Sequence, residues 1–461
     1  MNTVYNMVDR ILRSNSFVIC LAFIIVRTIP FLMYLGNFGV QIAPDSGTYR
    51  VGFWDWSVLG NHRGYGITIP FTLCPNDFFI AGLQFGLVTT SGVLLIREFH
   101  KNLSKYKYLP IACIFIVLCS PTIAVWDTWV LSHSLAIAYN LFSFVFLLRY
   151  RESGKYLHLS AFSGFLFLSS ISRPNNQAVL VIALTFIAFY LVFNFLRNKE
   201  QLLKLIGILL VFVSIISLSV GLNSNSARKS NPSSTVAILP YLLDVTAPIS
   251  GDLIREMNLD SEIPRCAYPS QPLINGNAEY FNNFSENCPE GFAWLEANFH
   301  SWYTSFLIRN PDASLKALSY GVGVGLGYPI NYGDVYPSFI AEPILKLFVG
   351  APKVSTSKPG VYPLFGWMLL VFFTFLQLAI RRRNSQTSVT KGNLKIQVFV
   401  YLAWIMSSVV SLVYLSHSDA FRVFVDNQVI LIIISVYLFS LNSAELWEYA
   451  TENKHIAKRS N

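Results

Sequence analysis

Long apolar runs alternate with short polar turns along most of this chain. The first run covers residues 16–36. Others follow at 78–96, 109–125, 131–148 and 156–172, then one ending near 196 and one at 205–222. Three more occupy 361–380, 396–415 and 429–441. Several approach or exceed the about 18 to 20 apolar residues that a helix needs to cross a bilayer. The pattern predicts an all-α membrane protein, a bundle of about ten transmembrane helices. It divides the chain into three parts. Residues 1–222 form a first transmembrane module of seven spans, with an outer loop at 37–77. Residues 223–360 form a small extracytoplasmic cap, and residues 361–461 carry three more spans and a tail.

Arg10 and Arg13 precede the first run, as in a signal peptide. The run is long, holds Arg27 within it and lacks a small-residue cleavage site, so it reads as a retained span. Composition agrees. Charged residues make up 13% of the chain, against about 25% in soluble domains, and mean hydropathy is +0.47.

The net charge of +9 changes its meaning once it is mapped onto the loops. Alternate connections are rich in Lys and Arg: the N-terminus, 97–107, 149–155, 197–204, 381–395 and the tail. They hold 20 of the 34 basic and 7 of the 25 acidic residues, a net of +13. The remainder has 14 basic against 18 acidic residues, a net of −4. By the positive-inside rule both termini face the cytoplasm. The excess is a topology signal and gives no reason to expect nucleic acid. The layout suits a bacterial inner membrane.

The segment 223–360 then lies outside. It mixes Pro, Gly, Asn and aromatic residues with short helical patterns such as 292–308. Gly321, Gly323, Gly325 and Gly327 alternate, but no strand–turn–helix context makes them a dinucleotide loop; a membrane-surface or re-entrant stretch fits them better. Residues 338–350 also read as interfacial. Cys266 and Cys288 share this segment and are a disulfide candidate in an oxidising compartment. Cys20, Cys113 and Cys119 fall inside apolar runs and read as small core residues. No CxxC or HExxH pattern suggests a metal.

Polar groups at the run boundaries sort onto one side. The first outer loop carries Ala43-Pro44-Asp45-Ser46-Gly47-Thr48-Tyr49-Arg50, then Asp55, His62 and Arg63. The turn after the third run carries Asp127, Ser132, His133 and Ser134. The next outer turn carries Arg173, Asn175 and Asn176, and the last one His417, Asp419, Arg422 and Asp426. Each has an ordinary alternative: a helix cap, a packed histidine, or a local ion pair at i, i+3. Four loops contributing to one face make the stronger pattern, because ionisable groups at membrane depth mark sites.

These residues resemble the GT-C class of polytopic glycosyltransferases, which use polyprenyl-phosphate-linked sugars. The likeness covers about residues 15 to 440. It rests on Arg27 in the first span, on Pro44-Asp45-Ser46-Gly47-Thr48-Tyr49, and on Arg63-Gly64-Tyr65-Gly66 with Pro70 after it. It continues in Ser132-His133-Ser134-Leu135 at the fourth span, Ser172-Arg173-Pro174 ending the fifth, Leu243-Asp244-Val245-Thr246, and Arg422 before the last span. Two departures stand out. Asp45 lacks the adjacent acid found in many members, and His133 stands where the family usually has glutamate.

The resemblance implies sugar transfer with inversion at the non-cytoplasmic face, onto a glycan, lipid or protein acceptor. Asp45 is then the expected catalytic base. Arg63, Arg173 and Arg422 are expected to hold the donor phosphate, since guanidinium forks match its oxygens. Tyr49, Asp127, His133 and Asn175 are expected to contact or orient sugar or acceptor. A divalent cation assists some relatives, but the sequence supplies no obvious ligand set. Two other classes stay open: a surface-polysaccharide polymerase or ligase using lipid-diphosphate oligosaccharides, and a transporter or flippase. A transporter would put its charges at the bundle midplane, often beside interrupted helices.

Overall fold

The computed structural model describes residues 16–42, 49, 53–56, 64–103, 107–173, 176–198 and 202–229. Beyond these it describes 404–406, 429–441 and isolated residues. The described residues are overwhelmingly helical, and no strand occurs among them. In order they form α1 (Ser16–Phe38), α2 (Tyr65–Thr72), α3 (Asp77–Asn102), α4 (Tyr108–Leu118), α5 (Pro121–Thr128), α6 (His133–Ser153), α7 (Tyr156–Ser172), α8 (Gln177–Asn198) and α9 (Leu202–Lys229), with α10 (Val429–Leu441) near the end of the chain. Among the described residues three helices are long and apolar enough to cross a membrane: α1, α3 and residues Leu205–Asn225 of α9. The predicted spans at 361–380 and most of 396–415 lie outside the described residues, as does the cap beyond residue 229 apart from isolated positions.

Local chemistry sets the helix ends. Asn76 caps α3, its side chain accepting from the Phe79 N–H at 3.2 Å, and Asp77 follows in the first turn; His100 and Lys101 close the last turn. Asp77 and Lys101 complement the helix dipole at the two ends. Gly154 ends α6 in the left-handed conformation, φ 64°, with its N–H on the Tyr150 carbonyl at 2.8 Å.

Contacts fix the packing directions. α1 and α3 run antiparallel: Cys20 meets Val93, Arg27 meets Thr89 and Phe31 stacks on Phe85. α6 and α7 are also antiparallel, through Asn140 with Ser169, Phe146 with His158 and Tyr150 with Tyr156. α6 is the central helix. It is buried along nearly its whole length, which explains why it lacks a clean apolar stripe. α1 and α9 keep large apolar side chains on the outside, among them Phe17, Ile25, Leu32, Leu210 and Val213. α10 joins the same core, with Tyr437 stacked on Phe99 and its hydroxyl accepting from Arg151 at 2.7 Å.

Three expectations are revised. The run at 109–125 is two helices, broken at Cys119 and Ser120. The first outer loop holds a buried helix: in α2, Thr68, Phe71 and Thr72 are fully covered. The helix of the seventh run continues to Lys229, past the boundary placed at 222. Its polar end is not a loop, because Asn223 donates to the Ser170 carbonyl at 3.2 Å and to Gln177 Oε1 at 2.9 Å, and Asn225 donates to Tyr65 Oη at 2.7 Å.

Candidate active site

The break between α4 and α5 is the starting point. Pro121 has no N–H, so the Val117 carbonyl loses the partner that a continuing helix would supply. The Ser120 hydroxyl takes that place, donating to Val117 O at 2.7 Å, and the same oxygen accepts from the Ile123 N–H at 3.4 Å to cap α5. The Leu118 carbonyl is freed as well and is met by the Arg27 guanidinium. Away from water every such backbone group needs an internal partner.

The same guanidinium forms an ion pair with Asp127. Its Nε donates to Thr89 Oγ1 at 3.0 Å. The second Asp127 oxygen accepts from the Ser134 hydroxyl at 2.8 Å. Gln84 Nε2 donates to the backbone carbonyls of Asp127 at 3.0 Å and Trp129 at 2.7 Å. In an unbroken helix Leu118 and Asp127 would lie about 13 Å apart along the axis, out of reach of a single guanidinium. The break brings them together. Gln84 is seven residues into α3, so the cluster sits about 10 Å below that helix end.

Beside this cluster stands an arginine–histidine couple. His133 begins α6 and is buried, its ring centroid 4.0 Å from that of Trp126. Arg173 is the C-cap of α7 and is only half-buried. Its guanidinium lies against the His133 ring, in contact with Nδ1. The antiparallel α6–α7 pair makes these two helix ends meet. A cation at a helix C-terminus also suits the dipole there.

A polar seam continues from the same end of the bundle into its interior. Asn176 Nδ2 donates to Ser169 Oγ at 2.9 Å, and Ser169 donates to Asn140 Oδ1 at 2.9 Å. Next to it, Ser170 and Ser219 pair at 2.8 Å, joining α7 to α9. α2 closes this end. Gly64 and Gly66 lie so close to α7 that an added Cβ at Gly64 would fall 2.1 Å from the Ile171 carbonyl oxygen.

The sequence placed Asp127 and His133 among groups facing sugar or acceptor. The structure turns Asp127 wholly inward, with both carboxylate oxygens engaged by Arg27 and Ser134, and sets His133 behind Arg173. Tyr49 is buried in the helical core. Asp45, Arg63, Asn175, Arg422, Cys266 and Cys288 lie outside the described residues. Gln84, Thr89, Asn140 and Ser169 were not singled out from sequence. Their signal was available, since amide and hydroxyl side chains inside apolar runs tend to bond across helices. Among the described residues no group of three or more His, Cys, Asp or Glu side chains could hold a metal ion.

Compared with known proteins, the chain matches no family model, no curated protein and no solved structure. Fold and site together define, among the described residues, a helical protein with three helices able to cross a membrane, an internal ion pair at a helix break, and a partly exposed arginine fixed at one bundle end.

Proposed function

We propose that this protein is a polytopic membrane glycosyltransferase of the GT-C type. It moves a sugar from a polyprenyl-phosphate donor to a glycan, lipid or protein acceptor at the non-cytoplasmic face of a bacterial inner membrane. The observation that carries the reading is Arg173. Its guanidinium is held in place by His133 while the residue stays partly exposed, at the end of the bundle that α2 closes. A fixed guanidinium there suits a departing lipid phosphate. Asp45 removes the acceptor proton as the acceptor oxygen attacks the anomeric carbon, and the lipid phosphate leaves with the bonding electrons. Arg63 and Arg422 share the phosphate in this reading. The bundle's opposite end supports the orientation: Arg97, Lys101, Arg149, Arg151 and Lys155 belong to the ends of α3 and α6 and the start of α7, tied by Lys101–Glu152 and Arg149–Glu98 pairs.

The test uses purified protein in liposomes with a panel of polyprenyl-phosphate sugars and follows release of the lipid phosphate. Wild type is expected to release it, and Asp45→Asn to release none while inserting normally. Wild-type turnover in Asp45→Asn removes Asp45 as the base. Activity only on diphosphate-linked oligosaccharides turns the assignment to a polymerase or ligase.

A second reading has its own support. The broken α4–α5 helix beside an internal ion pair is an arrangement used by transporters. Movement of a lipid-linked sugar between leaflets without bond cleavage, in the same liposomes, favours it.

A further inference from the structure

One surface feature is unused by the chemistry above. Phe53, Trp54 and Trp56 are exposed by 53%, 55% and 46%, and their rings form a continuous ridge, with centroids 5.5 Å and 5.9 Å apart. The ridge stands on a firm base. The Trp54 N–H donates to the Thr72 carbonyl at 2.9 Å, at the last residue of the buried helix α2. Thr72 in turn bonds Thr68 O at 2.7 Å, and both are fully covered. Trp54 has φ +61°, a left-handed conformation that opposes a bulky side chain. The chain accepts this steric cost and still leaves the indole outside.

The surroundings indicate what covers the ridge. Leu73 follows directly after Thr72 and is exposed. Phe78 and Phe79 project from the first turn of α3, 62% and 59% exposed. Phe38 ends α1 and is also exposed. Because α1 and α3 are antiparallel, the end of one and the start of the other lie at the same level. Phe38, Phe78 and Phe79 therefore sit at the rim of two helices long and apolar enough to cross a membrane, and the ridge is tied to Thr72, just before α3 begins. Asp55, Asn76 and Asp77 alternate with them in sequence. Aromatic groups interleaved with polar ones at span ends belong at the boundary between headgroups and acyl chains, where an indole buries its ring and keeps its N–H wet.

We infer that Phe53, Trp54 and Trp56, with Phe78 and Phe79, insert into the interfacial layer of the bilayer and seat the first outer loop on the lipid surface. The inference rests on the membrane reading of the chain. It gives that loop a lipid-binding role distinct from sugar stacking. A sugar platform would set hydrogen-bonding side chains around the ring faces to fix hydroxyls. Among the described residues the ridge is flanked by exposed Leu73, Phe78 and Phe79, with the short polar side chains of Asp55 and Asn76 between them.

The test is depth-dependent fluorescence quenching in nanodiscs, comparing wild type with the Trp54→Phe/Trp56→Phe variant, which keeps both rings aromatic. The difference spectrum isolates two of the nine tryptophans. Nitroxide lipids labelled near the glycerol are expected to quench it several-fold more than lipids labelled at the chain end, with iodide nearly without effect. Difference emission quenched by iodide and untouched by either lipid overturns the proposal. So does protection from iodide by a soluble oligosaccharide, which would make the ridge a sugar platform. Flotation of the wild-type protein with vesicles after alkaline washing is scored separately, so failure of the ridge and failure of the membrane reading are told apart.

Discussion

Arg27 and Asp127, one hundred residues apart in the chain, form an ion pair with side-chain exposures of only 1% and 0%. Thr89 and the Leu118 carbonyl also accept from Arg27, and Ser134 donates to Asp127, so five helices, α1, α3, α4, α5 and α6, meet in one network. A pair this deep persists because removing either partner strands a charge.

Arg27→Gln or Asp127→Asn is therefore expected to lower stability by about 3–5 kcal/mol, since each leaves the other charge unpaired in a buried site. The double variant should lose much less than the sum of the two. Denaturant unfolding in mild detergent measures all three. Additive losses would mean that the two residues are not coupled.

Gly66→Ala probes the docking of α2. The new Cβ would lie 2.7 Å from the Ser172 nitrogen and 2.8 Å from the Leu168 carbonyl oxygen. The Ser172 side chain can swing away, but the backbone of α7 cannot. The expected cost is about 1–3 kcal/mol, as for overpacking elsewhere. Hydrogen exchange across residues 65–72 should quicken while α6 stays protected, and unchanged exchange would show that α2 does not lie against α7.

Ser169→Ala removes the donor to Asn140 and the acceptor for Asn176 in one step. Both amides are buried, so the loss should reach about 1–2 kcal/mol, above the roughly 0.6 kcal/mol average of interhelical hydrogen bonds in membranes. Unfolding midpoints of Ser169→Ala and Ser169→Thr decide it. Threonine keeps the hydroxyl and should recover most of the loss, and equal stability of wild type and Ser169→Ala would remove the seam from the account.

Arg173→Ala should reduce lipid-phosphate release by about 100-fold, the scale of losing one preorganised group on a developing charge. Arg173→Lys should recover only part, because an ammonium lacks the planar fork. His133→Ala removes this contact with the guanidinium and should fall between wild type and Arg173→Ala. Release kinetics over a range of donor concentrations read all three, and full activity in Arg173→Ala would exclude the phosphate role.

The lengths of the apolar runs located most of the described helices. The run at 156–172 coincides with α7, and those at 16–36 and 429–441 differ from α1 and α10 by two residues at most. Hydrophobic length is a local property, so it can be read residue by residue. The runs of Lys and Arg between segments were equally legible, and Arg97, Lys101, Arg149, Arg151 and Lys155 gather at the end of the bundle opposite Arg173. Arg173 and His133 were visible as polar groups at run boundaries. That they meet follows from the antiparallel pairing of α6 and α7.

What only the tertiary structure decided is where polar groups go when water is absent. Asp127 stands between two tryptophans at the edge of an apolar run and reads as a surface turn. It is internal because Pro121 breaks the helix, Ser120 satisfies the orphaned carbonyl, and Arg27 arrives from another helix. Asn223 and Asn225 read as the start of a loop and are helical because Ser170, Gln177 and Tyr65 supply partners. Hydrophobic pattern determines which segments leave water. Hydrogen-bond satisfaction between distant segments determines how they end, bend and meet, and those partners are fixed only when the helices pack.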